Sequence, residues 1–126
     1  MNPILIVEDN DKNLKLVRDV LQFKGYRTVA ATTATEGLRL AREEQPVLIL
    51  MDIQLPDFDG ITALLRLRED PVTRQIPVIA VSASAMPDEQ HRIVASGFNA
   101  YITKPIEVKT FVETVEKFAG KAKQGP

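Results

Sequence analysis

An α/β fold built on a parallel sheet is predicted by three observations. Short apolar runs alternate with longer segments of helical period. The runs at residues 4–7, 47–51 and 77–81 are continuous rather than alternating, as in strands covered on both faces. The alternation occurs five times, with a β-then-α unit of about 25 residues. Parallel strands with right-handed crossovers and helices on both faces follow from that pattern.

Each element has its own signal. Ile4-Leu5-Ile6-Val7 is the first strand, and the polar turn Glu8 to Asp11 ends it. Residues 12–24 read as a helix with Leu16, Val17, Val20 and Leu21 on its apolar stripe, and Gly25 ends it as a C′ glycine. Leu14, on the shoulder of that stripe, is either an exposed docking residue or part of the core. Arg27 to Ala31 is a second strand, read from Thr28 and Val29. Residues 34–44 form the second helix, which Pro46 stops. Val47 to Met51 is the third strand, ending abruptly at Asp52. Asp57 to Gly60 is a turn, with Asp59 as N-cap of a helix from Ile61 to Glu69. Pro77 to Val81 is the fourth strand, ending at Ser82. Pro87 opens a helix to Ser96, which Gly97 closes. Ala100 to Ile102 is a short fifth strand, and a last helix runs from Glu107 to Ala119 with Val108, Phe111, Val112, Val115 and Phe118 at helical spacing. One domain is expected over residues 1–120, with 121–126 a flexible C-terminal tail.

Composition narrows the chemistry. The 126 residues suffice for one core and not two. With 44% hydrophobic and 26% charged residues, the chain is neither disordered nor collagen-like. No apolar run approaches the roughly 20 residues of a bilayer helix, and the first residues lack a signal peptide's basic region and cleavage site, so a cytoplasmic protein is expected. There are no cysteines, which removes disulfides, thiolate metal sites and cysteine nucleophiles. The single histidine, His91, argues against a multi-histidine metal site and reads as an ordinary exposed side chain. Sixteen Lys and Arg against seventeen Asp and Glu give a net charge of -1, which provides no electrostatic drive toward nucleic acid or anionic lipid.

The polar residues that end the strands are Glu8 and Asp9, then Asp52, Ser82 and Lys104. Parallel strands share one C-terminal rim, where open α/β sheets bind their ligands. Taken singly, each of these residues has a plain reading as a cap, turn or surface charge. Together, in this order, they describe a site. Carboxylates about 4 Å apart repel by roughly 1 to 4 kcal/mol per pair, depending on the effective dielectric. A hard divalent cation such as Mg²⁺ removes that cost. Lys104 can then pair with a phosphate oxygen and Ser82 can donate to another. The arrangement suits a carboxylate nucleophile and a phosphoryl group.

These residues resemble the receiver domain of two-component response regulators. The similarity covers residues 3–119 and rests on Ile4 to Asn10, Leu50 to Pro56 with Asp59-Gly60, Pro77 to Ala83, and Tyr101 to Pro105. Among receivers, the chain is most similar to stand-alone ones of the DivK type. The resemblance implies a flavodoxin-like fold, a five-stranded sheet of order 2-1-3-4-5. It implies that Asp52 accepts a phosphoryl group from a sensor histidine kinase or a histidine phosphotransfer protein. Glu8, Asp9, Asp52 and the backbone carbonyl of Gln54 would hold Mg²⁺, with Mn²⁺ able to substitute. Asp9 would be the direct ligand, and the longer Glu8 would act through water. Ser82 and Lys104 would hold the phosphoryl oxygens, Lys104-Pro105 would be a cis peptide, and Tyr101 would change rotamer as Ser82 moves. A downstream protein would be met through the face of the fourth helix, fifth strand and fifth helix, with no nucleic acid or membrane partner and no enzymatic activity beyond phosphotransfer to itself and its own dephosphorylation. The hydroxyl is Ser82 where threonine is common. Gln54 and Ser84 stand where this family tunes hydrolysis. A receiver that binds proteins without being phosphorylated is the alternative, although such proteins normally lack one of the key residues. A flavin site on the same fold would need a phosphate-friendly loop after the first strand, where this chain has Glu8-Asp9-Asn10-Asp11.

Overall fold

The computed structural model describes residues 2–83 and 86–121. Ser84 and the tail from residue 122 lie outside the described residues. The chain alternates five strands and five helices: β1 (Ile4–Val7), α1 (Asp11–Phe23), β2 (Thr28–Ala31), α2 (Ala34–Glu44), β3 (Leu48–Asp52), α3 (Gly60–Glu69), β4 (Val78–Ser82), α4 (Pro87–Ala95), β5 (Ala100–Thr103) and α5 (Val108–Ala119). All strand pairs are parallel, and the sheet order is β2-β1-β3-β4-β5, the flavodoxin-like arrangement.

The strand pleat sorts the apolar side chains onto two faces. Leu5, Val7, Ile49, Met51, Val78 and Ala80 pack with Ala34 and Ala41 of α2, Leu64 and Leu67 of α3, and Ile93 of α4. Ile4, Ile6, Leu48, Leu50, Ile79 and Val81 pack on the other face with Val17 and Leu21 of α1 and with Phe111 and Val115 of α5. The central strands therefore bury both faces, which is why their sequences are unbroken apolar runs.

The punctuation residues act as their chemistry suggests. Asn10 caps α1, its side chain accepting from the Asn13 N–H, and Gly25 follows with φ 97°. Thr33 caps α2 and Asp59 caps α3. Gly97 closes α4 with φ 117°. Glu107, expected as the first residue of the last helix, instead caps α5 through its carboxylate.

Two helix readings are corrected. Leu14 is core, packed with Val17 and Leu21, whereas Leu16, placed on the apolar stripe, is 39% exposed. The cause is angular. Positions 14, 17 and 21 repeat at three and four residues, while 16 lies about 200° around the helix from 14. Val108 is likewise solvent-facing, in the first turn of α5. Strand ends also shift. Asp52 and Ser82 are the last residues of β3 and β4 rather than the first residues beyond them.

Candidate functional site

The parallel topology brings the C-terminal ends of β1, β3 and β5 to one cleft of about 590 Å³. Glu8, Asp9, Asp52, Gln54 and Lys104 line it, together with Asn10, Asn13, Leu55, Pro56 and Ala83. Four of the five strand-end residues expected at the site thus meet there. Ser82, the last residue of β4, is 7% exposed, and Ala83 after it lines the cleft instead. The Ser82 carbonyl accepts from the Lys104 N–H at 2.8 Å, which fastens the end of β4 to the chain leaving β5.

Lys104 is the hub of the polar contacts. Its ammonium lies 2.9 Å from Glu8 Oε1 and 3.0 Å from Asp52 Oδ2. The peptide that follows, Lys104-Pro105, is cis. The Asp52 carboxylate is further held by the Gln54 N–H, which donates to Oδ1 at 3.0 Å. Glu8 Oε2 accepts from the Asn10 N–H at 3.3 Å. Glu8 and Asp52 are buried, while Asp9 is exposed at the cleft mouth.

Glu8, Asp9 and Asp52 each place a carboxylate oxygen within 4.8 Å of the others. Ionised, three carboxylates and one ammonium carry two uncompensated negative charges, an arrangement burial makes costly. Glu8 registers the cost. Burial first, and the neighbouring Asp52 carboxylate second, push it up to about 7 against the opposing pull of Lys104. Burial works against the Lys104 charge as well, but its two carboxylate partners outweigh burial and hold it above the usual lysine value. A divalent cation on the three oxygens would cancel the surplus charge, and an all-oxygen donor set is what Mg²⁺ selects. The residues present fit such an ion.

The loop from Asp52 to α3 is packed against the site by glycine. A Cβ at Gly60 would stand 2.7 Å from the Asp52 carbonyl oxygen and 3.0 Å from Ile53 Cα, both backbone atoms. The Gly60 N–H donates to the Ile53 carbonyl at 2.8 Å, so the loop closes on itself directly behind Asp52. Sequence reasoning placed Asp57 and Gly60 in a turn but gave neither a part in shaping the site. Asp57 accepts from the N–H groups of Ala34 and Thr35, each at 2.8 Å, and from the Thr35 hydroxyl at 2.6 Å. Its turn context was visible in the sequence, its distant partner was not.

Tyr101 lies in β5, half-buried at the sheet edge, with Ala80 of β4 as its register partner. A groove of about 460 Å³ separates it from the Pro87, Gln90, His91 and Val94 side of α4. His91 is exposed there.

Comparison with known proteins agrees with this geometry. A family profile described as the response regulator receiver domain matches residues 4–116. The polar-differentiation response regulator DivK of Brucella ovis is 48% identical over 119 residues, covering 94% of this chain and 97% of that protein. The receiver domain of a sensor histidine kinase from Pseudomonas aeruginosa, solved with a magnesium ion coordinated in its active-site cleft, superposes with a TM-score of 0.86 at 29% identity over 94% of this chain and 98% of that one. The Mn²⁺-bound form of the response regulator Rcp1 gives a TM-score of 0.80 at 25% identity over 100% and 99% of the two chains.

Proposed function

The chain belongs to the response regulator receiver domain family, and from that premise we propose that Asp52 is the carboxylate that takes the phosphoryl group. The observation that carries this reading is the position of its side chain: buried at the end of β3, opening onto the cleft, with an ammonium on one oxygen and two further carboxylates beside it. A carboxylate oxygen of Asp52 attacks phosphorus, the bond to the donor's imidazole nitrogen breaks, and the acyl phosphate remains on β3. Mg²⁺, held by Glu8, Asp9, Asp52 and the Gln54 carbonyl, would supply charge neutralisation for the phosphoryl oxygens. Mn²⁺ is expected to serve in its place.

The chain's own groups do the rest. The Gln54 N–H fixes the Asp52 carboxylate in one orientation. Lys104, shared between Glu8 and Asp52 before transfer, turns its ammonium to a phosphoryl oxygen afterwards. Ser82, one residue inside the cleft wall, donates its hydroxyl to another. Its inward movement frees the space that Tyr101 then fills, which alters the α4–β5–α5 face. Phosphorylation adds about −1.5 to −2 charges, by analogy with phosphoserine. To take the active state from 1:99 to 99:1, that group must favour it by about 5.5 kcal/mol.

On this reading the donor is a sensor histidine kinase or histidine phosphotransfer protein, the target is a protein that binds the switched face, and both meet the chain in the cytoplasm. Among the described residues no helix is long and apolar enough to cross a membrane. A binding module that is never phosphorylated finds no support in the site, because Glu8, Asp9, Asp52, Ser82 and Lys104 are all in place. Incubation with acetyl phosphate and Mg²⁺ is expected to give a phospho-adduct by intact mass, absent without the metal and absent in Asp52→Asn. An adduct that survives Asp52→Asn, or none from a cognate kinase, overturns the reading.

A further inference from the structure

The loop Ile53–Asp59 forms one wall of the cleft through Gln54, Leu55 and Pro56. Its two ends are pinned beside Asp52, by the Gln54 N–H on the Asp52 carboxylate and by the Gly60 N–H on the Ile53 carbonyl. Its outer part is held from elsewhere. Asp57 reaches across to the first turn of α2 and accepts three hydrogen bonds, from the Ala34 N–H, the Thr35 N–H and the Thr35 hydroxyl. Thr33, the helix's own cap, satisfies the Glu36 N–H. The first-turn N–H groups of α2 are therefore divided between a local side chain and a carboxylate from the cleft loop, 22 or 23 residues away along the chain. An anion at a helix N-terminus is electrostatically favoured. The Thr35 N–H and hydroxyl both reach Oδ2 while the Ala34 N–H is held by Oδ1, so both oxygens of the Asp57 carboxylate are engaged.

We propose that Asp57 is a positioning residue for the cation site: by clamping the cleft loop to the N-terminus of α2, it fixes where Gln54 stands relative to Asp52, and so sets the affinity for the divalent cation. Asp57 touches neither the cation nor the phosphoryl group. The inference rests on the reading of the cleft given above. It makes α2, which contributes no side chain to the cleft, a determinant of how well the cleft binds.

The test compares wild type, Asp57→Ala, Asp57→Asn and Thr35→Ala by Mg²⁺ titration, followed through the backbone amide resonances of Asp9, Gln54 and Lys104. Amide hydrogen exchange at Ala34 and Thr35 in metal-free protein reports the clamp independently. Asp57→Ala is expected to weaken Mg²⁺ binding about tenfold, the lower end of what outer supports of metal ligands contribute, and to expose both amides to exchange. Thr35→Ala gives a smaller loss. Asp57→Asn keeps an acceptor for only one of the two amides and turns an NH2 toward the other, so its affinity is expected to fall between wild type and Asp57→Ala, with exchange rising at the amide it releases. An Asp57→Ala protein that is folded, with both amides exchanging freely and unchanged Mg²⁺ affinity, overturns the proposal. If Asp57→Ala does not fold, equal affinity in wild type, Asp57→Asn and Thr35→Ala overturns it as well. A wild-type chain that binds Mg²⁺ but takes no phosphoryl group removes the proposed function while leaving the positioning role to be decided by affinity. One that binds no Mg²⁺ at millimolar concentration removes both.

Discussion

Glu8 shows how much a single buried carboxyl can report. Its ordinary value is 4.5 and the fold raises it to about 7, chiefly by burial. The folded chain then binds more protons than the unfolded one across that interval, so stability falls as pH rises through it. The contribution is complete below the unfolded value and gone above the folded one. Metal-free protein is therefore expected to lose denaturation midpoint between pH 5 and 8. Glu8→Gln, which has nothing to titrate, should flatten that slope. A wild-type midpoint that rises over the same interval relative to Glu8→Gln would contradict the placement of Glu8. Gly60 sets a second constraint at this scale. Alanine there would drive a Cβ against the Asp52 carbonyl and the Ile53 backbone, neither of which can swing aside. Gly60→Ala is expected to cost about 1–3 kcal/mol in chemical denaturation, in the range of overpacked sites.

Among the elements, α1 divides most sharply into a face that holds the fold and a face that does not. Leu14 is buried with Val17 and Leu21, and Leu16 is not. Leu14→Ala is expected to lose about 2–5 kcal/mol of stability and Leu16→Ala within about 0.5 kcal/mol of nothing, both read from denaturant midpoints. The helix α2 carries an electrostatic counterpart. Hydrogen bonds from Thr35 and from the α2 backbone hold the Asp57 carboxyl well below the usual carboxylate range. Its support is present above the ordinary aspartate value and lost as pH falls below it, the opposite sense to Glu8. The α2 amides of Ala34 and Thr35 should accordingly lose exchange protection in acid, and an amide pair indifferent to pH would count against the clamp. How legible these elements were differs for physical reasons. Asp52 and Lys104 stood out because apolar runs stop at or just before them, a local signal. The neighbours of Leu14 and Leu16 are alike in polarity, and a shift of two positions moves a side chain from core to solvent. Asp57 meets Thr35 only once β2 and β3 have docked on either side of β1, so no short window of sequence contains the pair.

For the molecule as a whole, any cation held by the three carboxylates would share one equilibrium with folding. The three carboxylates gathered within 4.8 Å come from the turn after β1 and from the end of β3, and nothing gathers them in the unfolded chain. Mg²⁺ at 100 times its dissociation constant is expected to raise stability by about 2.7 kcal/mol. Calorimetry with and without the ion checks this, and Asp9→Asn or Asp52→Asn should shrink the gain. The parallel sheet and its two-faced core were readable because each β-α unit announces itself in hydrophobic period, whereas the strand order came only with the family resemblance. The depth of the site was not readable, since whether Asp52 and Ser82 lie inside or beyond their strands depends on pairing with neighbours that only the sheet provides.

Four of the five strands supply a working group, and the first and last of those groups, Glu8 and Lys104, are joined through one ammonium. A nascent chain that has emerged only as far as β4 therefore holds Asp52 but not the ammonium that pairs with it. On the proposed reading such a precursor would be deaf: the message would be inscribed only once the closing strand has docked, so the wiring itself would keep half-built copies out of the conversation.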